Sequence, residues 1–168
     1  HYGSAGELAI RDLPDPIPGP GDVVIAVKAA ALNFFDTLII QGRYQTKPAF
    51  PFSPSAECAG TISAVGEGVT GWQVGERVAA WLGYGAAREK VAVSADQLIR
   101  IPERLDDAQA AGLFVTYGTA MHGLIQRAEL KAGETLAVLG ASGGAGLAAV
   151  EIGALLDAHV IACASSAD

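Results

Sequence analysis

The stretch Glu134–Ala164 reads ETLAVLGASGGAGLAAVEIGALLDAHVIACA, and its pattern decides the fold of this part of the chain. A short apolar run, Leu136–Leu139, is followed by a turn of small residues and then by a segment of helical periodicity, Leu147–Leu156. A second apolar run follows at Val160–Ala164. Strand, glycine-rich turn, helix and strand within roughly 30 residues predict a βαβ unit.

The small residues between this strand and its helix predict a phosphate-binding turn. Gly140, Gly143 and Gly146 follow a GxxGxxG spacing, which differs from the GxGxxG spacing of many dinucleotide sites. Glycine allows a tight turn and a close approach of the backbone to a ligand, and unpaired N–H groups at the helix start favour a pyrophosphate. A strand-to-helix turn without any ligand is the alternative interpretation. The predicted cofactor-binding residues here are Gly140, Ala141, Ser142, Gly143, Gly144, Ala145 and Gly146.

The end of the second apolar run indicates which dinucleotide would bind. An NAD site places Asp or Glu roughly 20 residues after the glycines, where it binds the ribose 2′-hydroxyl. The corresponding residues, 162–166, contain no carboxylate, so the sequence favours NADPH. Ser165 and Ser166 are candidate cofactor contacts, although together with Asp168 they also fit a cap for a following helix.

The bulk composition excludes several classes of protein. Of 168 residues, 51% are hydrophobic and 21 are glycine, which favours a compact globule over a disordered chain. The net charge of −7 argues against a nucleic acid or an anionic membrane as partner, and no apolar run approaches the roughly 20 residues of a membrane span. Cys58 and Cys163 both lie in apolar runs, so we expect buried free thiols and a cytoplasmic location.

The two ends of the chain predict that it is part of something larger. It begins at His1 without a methionine and stops just after the second strand of the βαβ unit. A parallel sheet of two strands cannot cover both of its faces. We therefore expect a fragment, or a chain that needs another element to complete its sheet, and weak cofactor binding by these 168 residues alone.

The first hundred residues predict an all-β barrel, because short apolar runs alternate with turns rich in glycine and proline. Asn33 is the expected N-cap of a short helix that ends near Gly42, and a loop over residues 43–54 follows. The predicted strands are Leu8–Leu13, Val23–Leu32, Glu57–Val65, a strand ending at Trp81, Glu89–Val93 and Leu98–Ile101.

Two helices are expected between the barrel and the βαβ unit, over Asp106–Gly112 and Val115–Ala128. Pro102 ends the β region, and we place the domain boundary between 102 and 108. The predicted fold class is α/β, with a β-barrel domain over residues 1–108 and the first part of a dinucleotide-binding domain over residues 109–168.

Seven motifs, in the same order along the chain, carry a resemblance to a known family. They are Ala31–Asp36 (ALNFFD), Pro54–Gly60 (PSAECAG), Val65–Val69 (VGEGV), Val74–Val78 (VGERV), Thr119–Ala120, Lys131–Glu134 (KAGE) and Gly140–Ala149 (GASGGAGLAA). The chain resembles the medium-chain dehydrogenases/reductases, in their zinc-independent quinone oxidoreductase (zeta-crystallin-like) branch. The resemblance implies a GroES-like barrel followed by the opening of a Rossmann domain, with the active site in the cleft between them. It also implies NADPH as cofactor, a small quinone or enone as substrate, and a homodimer when full length.

The same resemblance assigns roles to individual residues. It places Asn33 and Asp36 at the nicotinamide end of the cleft and Tyr44 beside the substrate, and it assigns a cofactor contact to Thr119. Each residue also fits a structural role: helix capping for Asn33, a favourable first-turn charge for Asp36, loop cover for Tyr44 and helix packing for Thr119. Glu57 keeps the family's position, and we interpret it as a structural hydrogen-bonding group.

A metal site is not predicted. Zinc-dependent relatives carry a Cys near Asn33 and a Gly-His-Glu where this chain has Ser55-Ala56-Glu57, so two ligand positions are lost. Catalytic zinc needs about three protein ligands. The three histidines and two cysteines are scattered without such a spacing.

Reduction without a metal must rest on positioning and on hydrogen bonds to the developing charge. A quinone or conjugated enone suits this chemistry, because its acceptor carbon is already electrophilic. The predicted function is therefore NADPH-dependent reduction of quinones or related conjugated carbonyls. An enoyl-thioester reductase of the same superfamily and a non-catalytic NADPH-binding module are the alternatives.

Overall fold

The computed structural model describes residues 1–165, which form two compact units. The first unit is His1–Gly112 and the second begins at Leu113. The helix Asp107–Ala111 lies in the first unit, where Arg77 Nη2 donates a hydrogen bond of 2.7 Å to Asp107. These units are defined by contacts within this chain. They do not test the boundary between functional domains after residue 108, which stays a prediction.

The elements of the first unit are β1 (Asp22–Ala31), α1 (Phe34–Ile40), β2 (Glu57–Val65), β3 (Arg77–Trp81), β4 (Lys90–Ser94), β5 (Leu98–Arg100) and α2 (Asp107–Ala111). The five strands form one sheet with antiparallel neighbours in the order β4-β1-β2-β3-β5. Apolar side chains from these strands form a core, of which Val23, Ile25 and Ile62 are central members.

The predicted first strand, Leu8–Leu13, is wrong. These residues form neither helix nor strand, and Leu8, Ile10 and Leu13 are exposed. A β-type composition forms a strand only when a neighbouring strand accepts its backbone hydrogen bonds. Within residues 1–165 no strand pairs with this segment.

The second unit contains the predicted βαβ arrangement. Strand β6 (Thr135–Leu139) runs parallel to β7 (His159–Cys163), and helix α4 (Gly144–Leu155) connects them. The helix packs closely on the sheet, because a Cβ added to Gly153 would lie 2.6 Å from Leu136 Cδ2. The helix begins three residues before the predicted start at Leu147, since the glycines of the turn already adopt helical geometry from Gly144.

The segment predicted as one helix over Val115–Ala128 has mixed hydrogen bonding. Helix α3 (Gly118–Met121) is α-helical, and π-helical turns flank it over Leu113–Tyr117 and His122–Arg127. Apolar periodicity reports which face of a helix is buried, and it does not distinguish i→i+4 from i→i+5 bonding. None of the helices within residues 1–165 has the length and apolar character needed to cross a membrane.

The two thiols differ in exposure. Both cysteines are free; Cys58 is fully buried on β2, as predicted, whereas Cys163 is only half-buried. The expectation of a buried Cys163 is therefore wrong, because the last residue of β7 has little cover within the part of the chain that the structure describes. Burial, and secondarily the charge of Glu57, raise the pKa of the Cys58 thiol to about 12.

Cys58 should resist alkylation in the folded protein. With a pKa of about 12, only about one thiol in ten thousand is a thiolate at pH 8, and the reagent has no access to it. Iodoacetamide followed by peptide mass spectrometry should leave Cys58 unmodified until the protein is unfolded in guanidinium. Half-buried Cys163 is the internal control, and rapid native labelling of Cys58 would contradict its burial.

Candidate functional site

A buried carboxylate organises the start of helix α1. Asn33 occupies the N-cap position, as predicted, and its backbone N–H donates to Asp36 Oδ2 at 2.7 Å. The other oxygen, Asp36 Oδ1, accepts the backbone N–H of Ser55 at 2.8 Å. Asp36 is 2% exposed, so both carboxylate oxygens are engaged inside the protein. The carboxylate therefore fixes the segment before β2 against the first turn of α1.

Ser55 is a second centre of this network, and the sequence did not predict it. It is fully buried and has a φ of 72°, in the left-handed region that favours glycine. Its hydroxyl lies 2.7 Å from the Ala31 carbonyl oxygen and 2.9 Å from the Glu57 carbonyl oxygen. The end of β1, the start of α1 and the start of β2 are thus held together by short polar contacts.

The side chain of Asn33 is oriented by a buried glutamate. Asn33 Nδ2 donates to Glu57 Oε1 at 2.9 Å, and Glu57 is fully buried. Because the amide NH₂ group is a donor and the Glu57 oxygen accepts from it, this contact fixes which end of the Asn33 amide points towards Glu57. Asn33 is half-buried, so part of its side chain stays accessible from solvent. The predicted hydrogen-bonding role of Glu57 agrees with this contact.

Tyr44 lies outside that network, on the loop between α1 and β2. Its ring stacks on the ring of Phe35, with centroids 5.5 Å apart and an interplanar angle of 24°. The tyrosine is half-buried, so its ring is held by α1 while part of it faces solvent. Of the three predicted catalytic residues, the structure brings Asn33 and Asp36 into one network and places Tyr44 on the neighbouring loop.

The predicted phosphate-binding turn forms a tight corner in the second unit. Gly140 has a φ of 74°, and its carbonyl oxygen accepts the N–H of Gly143 at 3.0 Å. A Cβ added to Gly146 would lie 2.1 Å from that same oxygen, so this position has no space for a side chain. The N–H groups of Gly140 and Ala141 both donate to the Cys163 carbonyl oxygen at 3.0 Å. The corner and the carboxyl end of β7 are therefore adjacent.

Backbone donors at this corner face solvent. Residues 142–145 are exposed, and the first N–H groups of α4, from Gly144 to Gly146, have no carbonyl four residues earlier within the helix. Ser165 is also exposed and follows β7 by two residues, whereas Ser166 lies outside the described residues. This set of donors fits the pyrophosphate of a dinucleotide, with Ser165 near the position expected for the ribose.

The helical segment before β6 packs against the corner. A Cβ added to Gly144 would lie 3.1 Å from Thr116 Cγ2, a contact that sequence reasoning did not anticipate. Tyr117 donates a hydrogen bond to Glu151 on α4, and this bond is the main reason that the pKa of Tyr117 is raised. Thr119, the predicted cofactor contact, is exposed on the same segment. Within residues 1–165, no group of three or more His, Cys, Asp or Glu side chains could hold a metal ion.

Comparison with known proteins identifies the family. Residues 19–103 match the family model described as alcohol dehydrogenase GroES-like domain. Human quinone oxidoreductase is 39% identical over 153 residues, which cover 90% of this chain and 46% of the human protein. The chain thus spans about half the length of the relatives that it matches.

Two solved structures extend the comparison. Mycobacterial Rv1454c complexed with NADPH is 32% identical, with a TM-score of 0.90 over 99% of this chain and 52% of that protein. CurK enoyl reductase is 34% identical, with a TM-score of 0.88 over 98% of this chain and 52% of that one. These similarities confirm the predicted fold class, a GroES-like domain followed by the first part of a Rossmann domain. The chain therefore belongs to the alcohol dehydrogenase GroES-like domain family and, with the quinone oxidoreductases, to the medium-chain dehydrogenases/reductases.

Proposed function

We propose that the protein is an NADPH-dependent oxidoreductase that reduces quinones or related conjugated carbonyls by hydride transfer without a metal. The observation that carries this proposal is the glycine corner, where exposed backbone donors lie beside the end of a strand that has no carboxylate. The similarity to human quinone oxidoreductase supports the choice of reaction. The proposal includes a homodimer of the full-length protein, on the basis of the sequence resemblance, and a cytoplasmic location, on the basis of the free cysteines.

The residues of the corner would hold the cofactor. The N–H groups from Gly144 to Gly146 would bind the pyrophosphate, and Thr119 would contact the cofactor from the preceding helix. The end of β7 carries no Asp or Glu to repel a 2′-phosphate, so Ser165 and Ser166 would accept NADPH in preference to NADH. When bound, NADPH supplies the hydride.

The polar network around α1 would serve the substrate. The Asn33 amide, oriented by Glu57, would donate a hydrogen bond to the oxygen on which negative charge develops, and Tyr44 would lie beside the substrate ring. Asp36 would act as a positioning residue, because both of its oxygens are engaged by backbone N–H groups. Hydrogen bonding is sufficient for a quinone or enone, since the negative charge is delocalised over the conjugated system.

The donor set around this network does not fit zinc. By resemblance, Ala56 stands where zinc-dependent relatives carry a histidine ligand, and its buried methyl side chain cannot bind zinc. Asn33 lies in the region where those relatives carry a cysteine ligand, and its side chain donates a hydrogen bond to Glu57. A catalytic zinc ion needs about three protein ligands, and the residues at these positions do not provide them.

A second candidate function is the reduction of enoyl thioesters. CurK enoyl reductase matches 98% of this chain at 34% identity, which is comparable to the match with the quinone oxidoreductases. An enone and an enoyl thioester both accept hydride at the β-carbon of a conjugated carbonyl group. They differ in whether the substrate carries a long acyl-thioester arm, so a direct comparison of substrates separates them.

Steady-state kinetics of the full-length protein should show NADPH oxidation with 1,4-naphthoquinone, unaffected by a chelator, and at least about tenfold tighter binding of NADPH than of NADH. The same assay with a small enone and with crotonyl thioester ranks the two candidate functions. Loss of activity on chelation would contradict the metal-free mechanism. Tighter binding of NADH would contradict the assignment of the β7 end, and NADPH binding without turnover of any acceptor would indicate a binding module.

A further inference from the structure

The segment at the start of the described chain docks on the end of helix α1. The Gly3 N–H donates to the Ile40 carbonyl oxygen at 3.0 Å. This bond places the ring of Tyr2 directly over Gly42, where an added Cβ would lie 2.7 Å from Tyr2 Cγ. Gly42 has a φ of 67°, which favours glycine, and the absence of a Cβ leaves room for the ring. Tyr2 thus lies against the point where the loop of residues 43–54 begins.

Tyr2 also contacts the middle of that loop. Its ring packs edge-on against Phe50, with centroids 4.8 Å apart and an interplanar angle of 61°, and lies 6.3 Å from the Phe52 ring. Its hydroxyl donates to the carbonyl oxygen of buried Pro48 at 3.3 Å. Phe52 in turn packs against Tyr84, with centroids 6.4 Å apart. Tyr2 therefore contacts the loop at three residues and also lies against Gly42, directly before it.

The loop needs such contacts to adopt one conformation. No helix or strand lies between Ile40 and Glu57, so the loop is not ordered by the ladders of regular structure. Its far end is held by the Asp36 and Ser55 network, and Tyr44 near its start is held by Phe35. Between these two anchors, Phe52 and Ser53 contact the connection between β3 and β4. Tyr2 contacts the same part of the loop from the start of the chain.

We infer that Tyr2 is a positioning residue that holds the loop of residues 43–54, and with it Tyr44, in the conformation that binds the substrate. The contacts of Tyr2 with Pro48, Phe50 and Phe52 support its role in ordering the loop. Its consequence for substrate binding rests also on the proposed function. In this proposal Tyr2 contacts neither the substrate nor the cofactor, and it acts only through the loop.

The test compares Tyr2→Ala, Tyr2→Phe and Glu7→Ala in the full-length protein. Tyr2→Ala removes the ring, and Tyr2→Phe removes only the hydroxyl bond to Pro48. Glu7→Ala is the matched control in the same segment, because Glu7 makes its hydrogen bonds with His1 and Ser4 inside that segment. Hydrogen–deuterium exchange of peptides from residues 43–54 measures loop opening without any reference to activity.

We expect Tyr2→Ala to speed exchange in the loop by about tenfold and to raise the KM for naphthoquinone by about tenfold. We expect kcat within about twofold and an unchanged Kd for NADPH, while Tyr2→Phe keeps most of the wild-type behaviour and Glu7→Ala all of it. Unchanged exchange in Tyr2→Ala would overturn the ordering of the loop by Tyr2. Faster exchange with an unchanged KM would overturn its role in substrate binding. If wild-type protein reduces no quinone or enone, the proposed function fails, and the exchange experiment still decides the role of Tyr2 in the loop.

Discussion

Replacing Gly146 by alanine should abolish measurable NADPH binding and lower the free energy of unfolding by about 3 kcal/mol. The added Cβ would lie 2.1 Å from the Gly140 carbonyl oxygen and 2.9 Å from Ala141 Cα, both of which are backbone atoms. No rotation of a side chain relieves such a contact, so the turn must open or the helix must move away from it. Either shift displaces the N–H groups of α4 from the proposed pyrophosphate position. Fluorescence titration with NADPH and denaturant unfolding measure the two effects.

The control for this substitution is Gly123→Ala in the same unit. An added Cβ at Gly123 would meet no atom within 4 Å, and the residue lies in helical conformation. Alanine should therefore be neutral or stabilise by up to about 1 kcal/mol. Wild-type NADPH affinity in Gly146→Ala would show that the glycine corner does not bind the cofactor. Equal losses in the two variants would show that the effect is not specific to the corner.

Replacing Asp36 by alanine should lower the free energy of unfolding by about 3 kcal/mol. The substitution leaves the backbone N–H groups of Asn33 and Ser55 without their acceptor in a buried place, and each such loss costs about 1–3 kcal/mol. Asp36→Asn should be nearly as damaging, because its NH₂ group would face one of the two N–H donors. Denaturant unfolding of the full-length protein and of the variants measures the change.

Activity distinguishes a positioning role of Asp36 from a direct one. If Asp36 positions Asn33, kcat/KM should fall in step with the loss of stability in both variants. Full stability with lost activity in Asp36→Asn would instead indicate that the carboxylate takes part in the reaction, contrary to the proposal. Asp96→Ala is the control, since Asp96 is an exposed carboxylate on the short helical turn before β5. It should change the free energy of unfolding by less than about 0.5 kcal/mol.

Local sequence patterns predicted those elements whose ends are marked by residues close to them in the chain. Strand β2 has the predicted limits, Glu57 and Val65, because its apolar run begins shortly after Pro54 and ends directly before Gly66. The βαβ unit was also predicted from a local pattern, in which a glycine-rich turn and a helical segment lie between two apolar runs. Leu8–Leu13 shows the limit of such patterns, since a strand depends on a partner that composition does not reveal.

The sequence by itself determined the order of strands and helices from β1 onwards, the glycine corner, the absence of a carboxylate in residues 162–166 and the position of Asn33 at the start of α1. These features are encoded in residues that are adjacent along the chain. Only the tertiary structure decided that Asn33 meets Glu57 across 24 residues and that Ser55 adopts a left-handed conformation. It alone also showed that Tyr2 reaches the loop before β2. Such contacts depend on how distant backbone segments approach one another, and one-dimensional periodicity contains no measure of that distance.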